Sequence, residues 1–188
     1  MKKNINFIIP ILLLFMSCDN GTAQAQTKTK NNLAEIRDNA KKSVLAPDFT
    51  LANLEGENIS LNDLKGKVVL LNFWGTWCGP CKREIPDFIS LSNKHKKNGL
   101  EIVGVTLSSG TPEKIQAFSE KWAINYTLLT DIKGNETQSV TARYGQVTGQ
   151  PISGIPTTFI IDREGYIRQR YVGPRSEEVF FKDLEPYL

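Results

Sequence analysis

From residue 44 onward, runs of apolar residues alternate with polar stretches that carry an apolar residue every three or four positions. The first pattern marks strands and the second marks helices. Val68-Val69-Leu70-Leu71-Asn72-Phe73 is almost continuously apolar, as in a strand buried on both faces. Leu100-Glu101-Ile102-Val103-Gly104-Val105 reads the same way. Phe49–Ala52 and Asn58–Leu61 flank Glu55-Gly56-Glu57, which predicts a hairpin, with a short helical turn over Ser60–Leu64. Helices are predicted from Gly79-Pro80 to about Asn98, where Gly99 ends the run, and from the N-cap Thr111 to about Trp122. Two more are predicted, over Glu136–Tyr144 and from Ser176 onward. Tyr126–Leu129, Thr157–Ile161 and Tyr166–Tyr171 are predicted strands. The last two are joined by Asp162-Arg163-Glu164-Gly165, which suits an antiparallel hairpin. A βαβ half followed by a ββα half predicts an α/β fold, a central mixed sheet flanked by helices.

The N-terminal pattern is different. Met1-Lys2-Lys3 is positive, and Ile5–Met16 is predominantly apolar but too short to span a bilayer, as in the core of a signal peptide. Leu14-Phe15-Met16-Ser17-Cys18 resembles a bacterial lipobox. That resemblance implies that residues 1–17 are removed and Cys18 is lipidated. Cleavage after Ala23-Gln24-Ala25 and an uncleaved anchor are the other readings. All three place the following domain outside the cytoplasm, in the cell envelope or periplasm. Residues 18–43 are polar and read as a flexible tether, and residues 44–188 as one domain without an internal repeat. The formal charge of +3 includes Lys2 and Lys3, so net charge makes no case for nucleic-acid binding. The cluster Lys94-His95-Lys96-Lys97 is read as the solvated end of a helix.

The chemistry concentrates in Trp77-Cys78-Gly79-Pro80-Cys81, which holds two of the three cysteines. It follows the Val68–Trp74 run and opens a helix, so Cys78 stands at a helix N-terminus. Unpaired backbone N–H groups and the helix dipole favour a thiolate there. Cys81, three residues on, lies on the same face, close enough to form a disulfide with Cys78. A purely structural staple closing so short a loop contributes only about 2 kcal/mol. A zinc site lacks ligands, because the single histidine, His95, lies about 21 Å along the helix from Cys81 at the standard rise per residue. Lys82 stands where a haem-attachment motif needs histidine. The reading is a dithiol/disulfide switch, with no metal and no bound cofactor.

The chain resembles thioredoxin-fold proteins, specifically membrane-tethered thiol–disulfide oxidoreductases of the TlpA/ResA type. The resemblance rests on Ala46-Pro47-Asp48-Phe49, on the run from Val69 through Trp77-Cys78-Gly79-Pro80-Cys81 to Pro86, and on Gly154-Ile155-Pro156-Thr157-Thr158-Phe159-Ile160-Ile161-Asp162. It implies a thioredoxin-like fold with an N-terminal β-hairpin extension and a central insertion over Thr111–Tyr144. It further implies that Pro156 is cis and faces the cysteines, that Ile155 contacts substrate through its main chain, and that Gly173 lies near the other wall of the groove. Asn72 replaces the buried carboxylate of thioredoxin itself, and the resemblance makes Glu84 its substitute, able to take a proton from Cys81. A Glu in the first helical turns is also simply favourable to the dipole. Trp77 is expected as a surface contact, Phe118 and Trp122 as packing, and Pro86 as a kink in the helix.

The implied reaction is thiol–disulfide exchange. Cys78 attacks a disulfide of an envelope protein and Cys81 resolves the mixed disulfide. A membrane electron donor relays reducing equivalents from the cytoplasm. The same dithiol working as oxidant or isomerase is one alternative, and an apocytochrome c reductase is another. A peroxidase and a redox-idle binding lipoprotein are further ones.

Overall fold

The computed structural model describes residues 44–188; the expected signal segment, Cys18 and the expected tether lie outside the described residues. The strands are β1 (Val44–Leu45), β2 (Thr50–Asn53), β3 (Asn58–Ser60), β4 (Val68–Trp74), β5 (Leu100–Thr106), β6 (Thr127–Thr130), β7 (Thr157–Ile161) and β8 (Tyr166–Val172). The helices are α1 (Gly79–His95), α2 (Pro112–Trp122), α3 (Glu136–Val147) and α4 (Glu177–Leu184). One sheet joins the described strands in the order β1-β8-β7-β4-β5-β6-β2-β3. The apolar run after Lys67 becomes its central strand. Every residue of β4 is buried, and β4 runs parallel to β5 and antiparallel to β7.

Side chains of β4 alternate between the two faces of the sheet. Leu71 and Phe73 pack with Val103, Val105 and Phe159 and with Val140 and Tyr144 of α3. Val68 and Leu70 pack with Phe88 and Leu91 of α1 and with Phe180 and Leu184 of α4. Trp74, on the second face, meets Ile85 of α1 and Ile115 of α2. So α3 covers one face and α1, α2 and α4 cover the other. The two aliphatic layers hold β4 in place, and its C-terminal end delivers the cysteine loop.

The expected hairpin forms as β2–β3, and β2 also pairs antiparallel with β6, which lengthens the main sheet. Elsewhere the structure departs from the sequence reading. The strand β1 was not expected at all. It is two residues long and pairs with β8 through backbone alone, so it has no periodicity to read. Thr111 occupies the N-cap of α2 but makes no capping bond through its side chain. Ser60, by contrast, forms a full capping box with Asp63 over the Leu61–Leu64 turn. The helix α1 continues through Pro86, and a tight turn over Lys96–Asn98 carries the chain to Gly99, whose φ of +91° ends it. His95 is half-buried rather than fully solvated. It stacks on Phe181 with ring centroids 4.7 Å apart, beside the Lys94–Glu177 ion pair (2.7 Å) that ties α1 to α4.

Candidate functional site

At the end of β4 the chain turns through Gly75-Thr76-Trp77. A Cβ at Gly75 would come within 2.9 Å of Trp77 Nε1 and 3.2 Å of the Leu107 carbonyl, so the glycine leaves room for the indole to fold back. Trp74 is buried and stacks obliquely on Phe118, which lies on Trp122, as expected of packing residues. Trp77 is 61% exposed, the largest apolar surface beside the cysteines. The loop is fixed from the other side by Ser109, whose Oγ accepts the Thr76 N–H at 3.0 Å.

Cys78 caps α1, with extended backbone (φ −79°, ψ 110°), and the Cys81 N–H donates to its Sγ at 3.2 Å. Gly79 and Pro80 form the first turn, where the missing N–H of proline costs nothing. The two cysteines are joined in a disulfide and both are buried. An amide at a helix N-terminus that meets Sγ in this way is a donor of the kind that favours a thiolate over a thiol.

The Ile155–Pro156 peptide bond is cis. The Ile155 carbonyl oxygen lies 3.7 Å from Cys78 Sγ. A disulfide sulfur has no hydrogen to donate, so this is a van der Waals contact in the oxidised form; only the reduced thiol carries a donor. Gly173 lies across from this segment, and its N–H donates to the Pro156 carbonyl at 2.8 Å. Thus Cys78, Ile155, Pro156 and Gly173, far apart in sequence, meet at one end of the neighbouring strands β4, β7 and β8. Gly173 has φ of +81°, which favours a residue without a side chain.

Glu84 is not a surface residue. It lies on α1 three residues beyond Cys81 and is 1% exposed. The Arg175 N–H donates to its Oε1 at 2.9 Å, and its Oε2 has no partner. Burial pushes its pKa up from 4.5 to about 7 against the Arg175 N–H, which pulls it down; the nearby Asp87 adds to the rise. Asn72, on the same face of β4 as Leu70 and Trp74, is satisfied by donating from Nδ2 to Thr158 Oγ1 at 2.8 Å. The turn before α4 and the first residue of α4 hold α1 through backbone N–H groups: Arg175 to Glu84, and Glu177 to Asp87 at 3.2 Å. Backbone donors leave no mark in a sequence, so nothing there could have identified Arg175. Among the described residues, no group of three or more His, Cys, Asp or Glu side chains could hold a metal ion.

The arrangement is that of a thioredoxin-fold protein with a dithiol/disulfide switch. Comparison with known proteins agrees at each level. Residues 43–170 match the model of the AhpC/TSA family. The thiol-disulfide oxidoreductase ResA of Bacillus thuringiensis is 34% identical over 190 residues, covering 100% of this chain and 97% of that protein. The thioredoxin-like protein YneN of Bacillus subtilis is 32% identical, covering 93% and 94%. Among solved structures, a thioredoxin family thiol:disulfide interchange protein from Chlorobium tepidum superposes with a TM-score of 0.66 at 29% identity. That match covers 78% of this chain and 97% of the other. The chain belongs to the AhpC/TSA family and, within it, to the thiol–disulfide oxidoreductases of the ResA type.

Proposed function

We propose that this oxidoreductase reduces disulfides of envelope proteins and that Cys78 is the attacking thiol. The observation that carries the reading is the Cys78–Cys81 pair at the N-terminus of α1, beside the Ile155 carbonyl. A Cys78 thiolate attacks one sulfur of a substrate disulfide, forming a mixed disulfide and releasing the other sulfur as a thiolate. Glu84 accepts the proton of Cys81. The Cys81 thiolate then attacks Cys78 Sγ, which forms the Cys78–Cys81 disulfide and releases the second substrate thiolate. Two electrons leave the protein in each cycle, and a membrane protein that relays reducing equivalents restores them. Trp77, Ile155, Pro156 and Gly173 form the walls along which the substrate chain lies.

In this reading residues 1–17 are a signal peptide, lipid on Cys18 anchors the mature protein, residues 18–43 are the tether, and residues 44–188 work in an oxidising compartment. Support for it comes from the apolar segment before Cys18 and the polar run after it. Among the described residues, no helix is long and apolar enough to cross a membrane. The test is a trap. A Cys81→Ser chain should hold its substrates on Cys78 as mixed disulfides that dithiothreitol releases. Capture of nothing by Cys81→Ser, or capture by a Cys78→Ser chain in its place, would overturn the assignment of Cys78.

A further inference from the structure

An open cavity of about 690 Å³ lies on the α3 face of the sheet, opposite the face that holds Glu84. Leu107 and Ser108 line one side, Pro151 and Ile152 line another, and Gln138 and Ala142 of α3 line it from exposed positions. The size is that of a ligand site rather than a packing gap. The proton chemistry proposed above uses none of these residues.

Both walls lead to the cysteines. The Leu107 N–H donates to the Trp74 carbonyl at 2.8 Å, and two residues on, Ser109 holds Thr76. On the other side, Ile152 stands three residues before Ile155, whose carbonyl touches Cys78 Sγ. Three residues of extended chain span at most about 10 Å. A polypeptide that brings a sulfur to Cys78 along this backbone therefore carries its neighbouring side chains past the cavity mouth.

The far wall is built in advance. Arg170, projecting from β8, lies over the Phe159 ring and donates from Nη1 to the Gln150 carbonyl (2.7 Å) and from Nη2 to the Pro151 carbonyl (2.9 Å). Its Nη1 also reaches Thr148 Oγ1 at 3.2 Å. The segment presses on α3 so closely that a Cβ at Gly145 would come within 3.0 Å of Pro151 Cα. Arg170 is half-buried, and its charge-assisted bonds to the exposed Gln150–Pro151 backbone fix this loop as one wall of the recess.

We propose that this cavity selects substrates by taking a bulky apolar side chain that lies within about three residues of the substrate cysteine. The inference rests on the thiol–disulfide reading and deepens it: the preferred substrate is a disulfide-bearing polypeptide with an apolar residue next to, or one turn of chain away from, its cysteine.

The test uses the pre-reduced full-length chain and single-cysteine peptides blocked as mixed disulfides with glutathione. The peptides differ only in carrying Leu or Ser at one position within three residues of the cysteine. The wild-type chain should reduce the best Leu peptide about tenfold faster, in kcat/KM, than its Ser counterpart. Ala142→Trp and Gln138→Trp place an indole in the cavity from exposed helical positions, and each should bring that ratio close to one. Hydroxyethyl disulfide, too small to span the walls, reports separately that the dithiol exchanges; a wild-type chain inert toward it would overturn the thiol–disulfide reading itself. Equal rates for Leu and Ser peptides at every position would overturn the cavity's role. So would a preference that survives both Trp variants. A wild-type dimer that the Trp variants lose while keeping the preference would assign the cavity to a second copy of the chain and overturn the proposal as well.

Discussion

Among the described residues, two carboxylates are almost fully buried, and they are held in opposite ways. Asp162, just after β7, is 3% exposed and surrounded by donors. Its Oδ1 accepts the N–H groups of Glu164 (3.1 Å) and Tyr166 (2.8 Å), and its Oδ2 pairs with Arg168. Glu84, on α1, is 1% exposed and has one backbone donor for two oxygens. The first is a charge stitched into a hairpin, where opposite charge and hydrogen bonds compensate desolvation. The second is a carboxyl group that desolvation pushes toward neutrality, with a pKa of about 7. Burial alone does not separate structure from chemistry; the count of donors around each group does. An under-satisfied carboxyl one helical turn from a thiol is suited to exchanging a proton near neutral pH.

The comparison breaks most visibly at Asp162. Asp162→Ala removes three acceptor contacts at once and takes away the charge paired with Arg168. A loss of about 4 kcal/mol is expected, read as a lower midpoint in urea denaturation. The exchange rate per folded molecule should be unchanged. A rate loss without a stability loss would make Asp162 part of the chemistry and erase the contrast.

At Glu84 the effect is smaller and depends on pH. The folded-state pKa of about 7 lies above the unfolded value of 4.5. Between those values the folded chain keeps a proton that the unfolded chain has released. Stability attached to Glu84 is therefore full below pH 4.5, falls as the pH rises to about 7, and stays low above it. The total change is on the order of 3 kcal/mol. Glu84→Gln should flatten that part of the stability profile and leave the variant more stable relative to wild type at pH 8 than at pH 5. Parallel profiles would mean that Glu84 ionises as an ordinary surface carboxylate.

The same distinction explains what was legible in the sequence. The runs around Leu70 and Ile102 showed two buried parallel strands because burial on both faces leaves only apolar residues. The cysteine pair declared itself through spacing and its place after a strand. The meeting of Cys78 with Ile155, Pro156 and Gly173 followed only from resemblance, since no local pattern brings residues so distant to one end of the sheet. Strand β1, the pairing of β2 with β6 and the hold of Arg175 on Glu84 were invisible because backbone atoms make them. The stacking of His95 on Phe181 was missed for a related reason. Neighbouring lysines made the segment look solvated, while its partner comes from α4, far along the chain.

The central claim is that Glu84 takes the proton from Cys81 during resolution. The most direct measurement starts from a mixed disulfide between Cys78 and a small thiol and follows release of that thiol, in a single turnover, across pH. The wild-type rate should rise through an inflection near pH 7, set by the buried carboxyl. Glu84→Gln should lose that inflection and release the thiol more slowly near neutral pH, while the attack of Cys78 on a fresh disulfide keeps its rate. Superimposable release profiles for the two proteins would contradict the account.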